Sequence, residues 1–317
     1  MWQERQFRLL GEEIEDILVS LTDSGEFSGL IREPLTESRR GLALEGARDR
    51  PWPLLPLIVC EAISGRYEHA IPAAAALQLF MAAGDVFDDI EDADSARSLS
   101  ARYGPAIATN VATALLILAE KAIARLKTTG IPDETITRVI ELVNSYYLTA
   151  CIGQHLDISL VKERSVSDEI YLDIIGLKSA SQIECACHVG ALLATNNNNL
   201  IDNFKKFGYN LGMAAQITND IQGVIKGNDI LTRKITLPLI FALAQTSGTD
   251  REQLMLAYST PNKAVEYSGL IKDLLFRTGA INYTAIKLEF YKQMALDALS
   301  QIESEGAKLE RLKLFLQ

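Results

Sequence analysis

The chain has 317 residues, 48% of them hydrophobic and 23% charged, and a formal net charge of −10. That is enough apolar material for a large core, in one big domain or two. The acidic balance speaks against a nucleic-acid partner or an anionic membrane surface, so an anionic substrate would have to be met by metal ions or by a local cluster of cations. Cys60, Cys151, Cys185 and Cys187 show no paired framework and no secretory leader is visible, so a reduced, cytoplasmic protein is expected.

Helical periodicity dominates from end to end. Residues 2–21 read as an amphipathic helix. Residues 32–50 read as irregular, with Pro34, Gly41 and Gly46. Helices follow over 53–63 and 68–92, broken at Ser64-Gly-Arg. Pro105 suits a first helical position, and its helix runs to about Thr128-Thr-Gly. The longest apolar stretch, 106–119, carries Thr109, Asn110 and Thr113, so it reads as too short and too polar to cross a bilayer. Asp133 opens a long helix to about Leu160, and Ser165-Val-Ser-Asp opens another to about Thr195. Asn196 to Asn199 form a polar turn. Helices then cover 201–225, 237–244, 250–257, 261–278 and 281 to about 309. No period-two alternation is long enough for a sheet, and no Pro/Gly/Ser stretch reads as a linker. The expectation is one all-α domain over 1–317, with ten or more helices around a central cavity.

One helix end poses a chemical problem. Asp85, Asp88, Asp89 and Asp92 lie at i, i+3, i+4 and i+7, with Glu91 and Asp94 beside them. A helix puts those four on one face, where like charges repel. The three preceding turns are apolar or small, which marks a buried helix. No Lys or Arg lies within the run. On spacing alone two readings stand: a solvated helix end, or a platform for Mg²⁺, which takes few carboxylates and bridges to phosphate oxygens. Gln216, Asn219, Asp220 and Gly223 repeat the spacing on a second helix. Alone, that set reads as a polar patch in a core helix. Together, the two helices could face each other across a cavity with oxygen ligands at matching ends.

Read in order, these segments resemble the trans-isoprenyl diphosphate synthase, or polyprenyl synthetase, family. Gly46-Ala-Arg-Asp-Arg-Pro51 resembles its GKRxRP loop, and Asp88-Asp-Ile-Glu-Asp92 its first DDxxD. Gly153-Gln-His-Leu-Asp157 resembles GQxxD. Lys178-Ser179 stands at its Lys-Thr. Gln216-Ile-Thr-Asn-Asp220 resembles QIxDD, the start of a second DDxxD, and DILTRKITLP over 229–238 resembles DLxxGKxTLP. Each match alone is weak, but all six stand in the family's order. The resemblance implies an isoprenoid-synthase-type helical bundle and a Mg²⁺-dependent prenyltransferase with two or three ions. It implies that Asp88, Asp89, Asp92, Asn219 and Asp220 hold metal. It implies that Arg48, Arg50, Gln154, Asp157, Lys178, Gln216 and Lys234 bind substrate. Lys178 and Lys234 would meet the diphosphate, and with Asp88 and Asp92 they would carry the chemistry. Substrates would be an allylic prenyl diphosphate and isopentenyl diphosphate, and the assembly a homodimer. Ala83 and Gly84 would leave the prenyl pocket open one turn before Asp88, with Phe80 closing it at a medium length.

The sequence also departs from the family pattern. Ala47 replaces the Lys of the basic loop, the Arg-Arg pair after the first DDxxD is missing, and Asn219 and Gly223 replace two aspartates of the second motif. Weaker binding of metal and diphosphate is expected from these losses. Three other functions follow. The short NDILTRKITLP stretch resembles bacterial enzymes that prenylate a tryptophan of a competence pheromone. NDIQG partly resembles a class I terpene cyclase motif. A non-catalytic subunit of a heteromeric synthase is the third. Outside the motifs, Cys185, Cys187 and His188 read as core rather than zinc ligands, since residues two apart on a helix diverge. His69 is expected to be exposed, and Tyr146 and Tyr147 to pack between helices.

Overall fold

The computed structural model describes residues 2–19, 21, 25–36, 52–92, 95–160, 166–260 and 266–316. Among them every regular element is helical, as the periodicity predicts. They fall into two compact units: 1–145 with 185–205 and 298–317, and 146–184 with 206–297.

The first unit holds α1 (Trp2–Val19), α2 (Glu26–Thr36), α3 (Leu55–Ser64), α4 (Ile71–Asp92), α5 (Leu99–Tyr103) and α6 (Pro105–Ala124). Helix α4 packs chiefly on α6, with α1, α2, α3 and α5 also against it. The reason lies in the side chains. Ala73 to Ala76, Ala82 and Ala83 on α4, and Ala108, Ala112, Ala119 and Ala122 on α6, are all at most 1% exposed. Small residues let two helix axes approach closely, and a helix buried on every side is what an all-apolar sequence requires. Gly65 ends α3 in the left-handed conformation (φ 72°), and its amide donates to the Glu61 carbonyl.

Three sequence expectations need correction here. Helix α2 runs on through Pro34 to Thr36, where irregular chain was expected. Pro34 removes one amide donor from the last turn of the helix, which Thr36 then ends, and it is buried with Ile31 and Leu35. His69 is half-buried, with its Nε2 3.3 Å from the Leu193 carbonyl oxygen and 3.2 Å from Cys60 Sγ. The stretch judged too short to span a bilayer belongs to a 25-residue helix, Pro105–Thr129, because a 3-10 turn extends α6. Together with Glu68–Asp92 it is long and apolar enough to cross a membrane by length and composition. In their most apolar windows the first is 44% buried and the second 72%. Cys185 and Cys187 are fully buried, as the core reading predicts. Beside them, burial above all, with Lys205 adding to it, pulls the His188 imidazole down to about 4.

In the second unit, α8 (Asp168–Ile175) starts at Ser167, whose Oγ accepts from the Ile170 amide. A π turn, Gly176–Ala180, carries it into α9 (Ser181–Ala194). Each of the four crossings between the units' segments falls inside a helix, namely α7 (Asp133–Leu160), α9, α10 (Asn198–Lys226) and the helix Ala280–Ser304, rather than in a linker. A short helix, α11 (Asn228–Thr232), precedes α12 (Leu237–Gln245) and α13 (Gly248–Ser259). Two cores hold this unit. One gathers Val224, Ile230, Leu239, Leu254, Ile271 and Leu274, the other Tyr171, Ile175, Met213, Ile217, Leu237 and Ile240.

Candidate active site

The first group of expected site residues ends α4. Asp88 and Asp89 are half-buried and Asp92 is exposed. Ahead of them Val86 is buried, Phe80 is 4% exposed and Ala83 is 0% exposed. The helix thus passes from full burial to accessible carboxylates within two turns. Among the described residues no three acidic, His or Cys side chains converge closely enough to hold a metal by themselves. Magnesium needs only one or two carboxylates and completes its shell with water and substrate phosphate, and Asp88 and Asp89 are accessible enough to supply them. The acidic face of α4 therefore fits Mg²⁺ carried with an anionic ligand. Arg48 and Arg50 lie outside the described residues.

The second group is built around the π turn. Gly153 on α7 packs directly on it: a Cβ there would overlap the Lys178 amide nitrogen and lie 2.7 Å from the Lys178 Cα. Only glycine permits that approach. One turn on, Asp157 Oδ2 accepts from Lys178 Nζ at 2.7 Å. Both side chains are partly exposed, so the ion pair orients the lysine more than it stabilises the fold. The widened turn frees backbone carbonyls, and side chains one turn on answer them. Ser181 Oγ donates to the Leu177 carbonyl and Gln182 Nε2 to that of Lys178. π turns of this kind occur frequently at functional sites. Gln154 is half-buried beside Gly153, and His155 is exposed.

The third group lies at the end of α10. Asp220 is 1% exposed. Its carboxylate accepts from Tyr171 Oη at 2.8 Å, Gln216 Nε2 at 3.1 Å and the Leu237 amide at 3.4 Å. Burial pushes its pKa up to about 7 against the pull of those donors. Gln216 is thereby tied to Asp220. Asn219, its neighbour, is exposed. Lys234 is exposed, and its amide donates to the Asp229 carbonyl at 2.9 Å. Arg233 stands where the DLxxGKxTLP pattern has glycine, and it keeps that glycine's left-handed backbone (φ 60°). Tyr171 is the partner that sequence reasoning missed. It lies 49 residues from Asp220, and no local pattern links the two.

Comparison with known proteins agrees with this architecture. The family model for polyprenyl synthetase matches residues 35–273. A geranylgeranyl diphosphate synthase of Sulfolobus acidocaldarius is 26% identical over 267 residues, covering 80% of each chain. The tryptophan prenyltransferase ComQ of Bacillus subtilis is 27% identical over 244 residues, covering 75% of this chain and 77% of its own. A crystal structure of geranylgeranyl pyrophosphate synthase from Corynebacterium glutamicum, complexed with isoprenyl diphosphate and magnesium, superposes with a TM-score of 0.80 at 21% identity, over 99% of this chain and 96% of its own. The chain belongs to the polyprenyl synthetase family, and it is a trans-prenyltransferase.

Proposed function

We propose that the enzyme ionises an allylic prenyl diphosphate with the help of Mg²⁺ and joins the prenyl group to isopentenyl diphosphate, giving a medium-length isoprenyl diphosphate. The observation that carries this reading is the four-aspartate face closing an otherwise buried α4. The allylic C–O bond breaks and the diphosphate leaves with the electron pair. The alkene of the acceptor then forms the new carbon–carbon bond and a proton is lost. Bound magnesium supplies positive charge to the departing diphosphate. Asp88 and Asp92, with Asp89, hold that metal through their carboxylates. Lys178, aimed by Asp157, and Lys234 donate to diphosphate oxygens as negative charge grows there. The apolar turns ahead of Asp88 keep water from the cation. Gln154, and Arg48 and Arg50 of the basic loop, complete the substrate contacts in this reading. A cytoplasmic homodimer, with residues 1–317 acting as one domain, goes with it on the strength of the family resemblance.

Phe80 closes the prenyl pocket in this proposal. A helical turn rises about 5.4 Å, close to one extended isoprene unit. Phe80→Ala is expected to lengthen the product, read by chromatography of the released prenyl alcohols. An unchanged product distribution would remove Phe80 as the floor.

A second reading has its own support. The likeness to the tryptophan prenyltransferase, together with Asn219 and Gly223, favours an acceptor other than isopentenyl diphosphate. In that case a peptide indole takes the prenyl group. Incubation with Mg²⁺ and geranyl or farnesyl diphosphate, with and without isopentenyl diphosphate, separates the two. Longer diphosphates that form only in its presence support elongation. Prenyl alcohol released from the allylic substrate, with no elongation, overturns it and supports a cyclase or a transferase starved of another acceptor.

A further inference from the structure

The second motif has few carboxylates left to offer. Position 219 is Asn, and position 223 is Gly. Asp220 is buried and already accepts from three protein donors. Yet position 223 is not empty space. A Cβ built on Gly223 would overlap the carboxylate of Asp229, with all three nearest atoms belonging to that group. Glycine inside a helix costs about 1 kcal/mol relative to alanine. Here it opens the room that the Asp229 carboxylate fills.

The local chain explains how Asp229 gets there. Helix α10 ends at Lys226, and Gly227 turns left-handed (φ 85°), with its amide donating to the Gly223 carbonyl at 2.9 Å. That tight return folds α11 back beside the last turn of α10. Burial raises the Asp229 pKa, and Lys234 lowers it in part. The charge of Asp229 in turn disfavours ionisation of Tyr171 and Tyr258. The Tyr258 hydroxyl oxygen is fully buried and has no hydrogen-bond partner among the described residues. A buried hydroxyl left over within electrostatic reach of a half-buried carboxylate is a feature that a bound ligand or water shell satisfies.

We propose that Asp229 supplies the carboxylate that position 223 lacks, so that the acidic group of the second motif comes from α11 and not from α10. Asp220 then serves as a positioning residue, tying α8 and the start of α12 to α10. This rests on the proposed Mg²⁺-diphosphate chemistry and assigns one of its metal contacts to a residue outside the DDxxD pattern.

The test measures binding of Mg²⁺ with inorganic pyrophosphate to the full chain by calorimetry, with apo-protein melting recorded for every variant. Asp229→Asn keeps the shape and removes the charge. It is expected to weaken binding on the order of ten- to a hundredfold. Gly223→Ala keeps every charge but evicts the carboxylate, whose side chain can swing aside. It is expected to weaken binding as Asp229→Asn does while melting no lower, because alanine favours the helix. The exchange Gly223→Asp with Asp229→Gly returns a carboxylate to α10 and is expected to recover binding. Wild-type affinity in Asp229→Asn or Gly223→Ala, with Asp88→Ala still defective, overturns this inference and leaves the proposed function standing. Failure of the wild-type chain to bind at all removes both.

Discussion

Asp88→Ala is expected to lower prenyl transfer at least a thousandfold without lowering the melting temperature. Asp88 lies three and four residues from Asp85, Glu91 and Asp92 on α4. Each like-charge pair at those spacings destabilises an isolated helix by roughly 0.2–0.5 kcal/mol. Alanine removes that repulsion and is the best helix former. The helix is anchored by the buried residues ahead of the acidic face. Stability and activity should therefore move in opposite directions, the mark of a residue held for chemistry at the expense of the fold. Turnover close to wild type would remove Asp88 from the site. A collapse of the melting temperature would show instead that the acidic face holds the structure together.

Gly153→Ala is expected to damage both stability and catalysis. The added methyl would overlap the Lys178 amide nitrogen and sit 2.7 Å from the Lys178 Cα and 2.8 Å from the Leu177 carbonyl carbon. These are backbone atoms and cannot rotate away. Either α7 or the π turn must shift, which costs about 1–3 kcal/mol. The same shift pulls Asp157 from Lys178, whose ion pair lies one turn along α7. A misplacement of about 1 Å in a positioning group lowers rate on the order of a hundredfold. Denaturant midpoints and single-turnover rates would read the two effects together. An alanine variant that unfolds at the wild-type midpoint would show that the approach of α7 to the turn is not tight.

Much of this was legible in the sequence because it is local. The apolar run before Asp85 marks a buried helix whose end is α4, and Asp133 and Pro105 mark starts that the chain obeys. Gly153 and Lys178 were visible as motif positions. Their mutual approach was not, since it depends on how α7 packs on a turn 25 residues later. Helix α11 escaped notice because five residues are too few to show a period. Asp229 was legible as a member of a pattern and given no role. Its place against Gly223 follows from the short return after Lys226, which no periodicity reports. The family resemblance gave Asp220 a metal-binding role that its spacing alone did not. Its three donors come partly from Tyr171 and Leu237, which sequence distance hides.

The π turn at Gly176–Ala180 has a consequence for engineering. Each residue advances a helix by about 100°, so one residue more per turn acts as a phase correction between α8 and α9. Both can then keep their greasy sides inward while a cation is presented between them. Deleting a single residue there would restore ordinary winding and leave the downstream helix nearly in phase, at the cost of the bulge that sets out Lys178, so a chimera spliced at this point must carry the surplus residue with it.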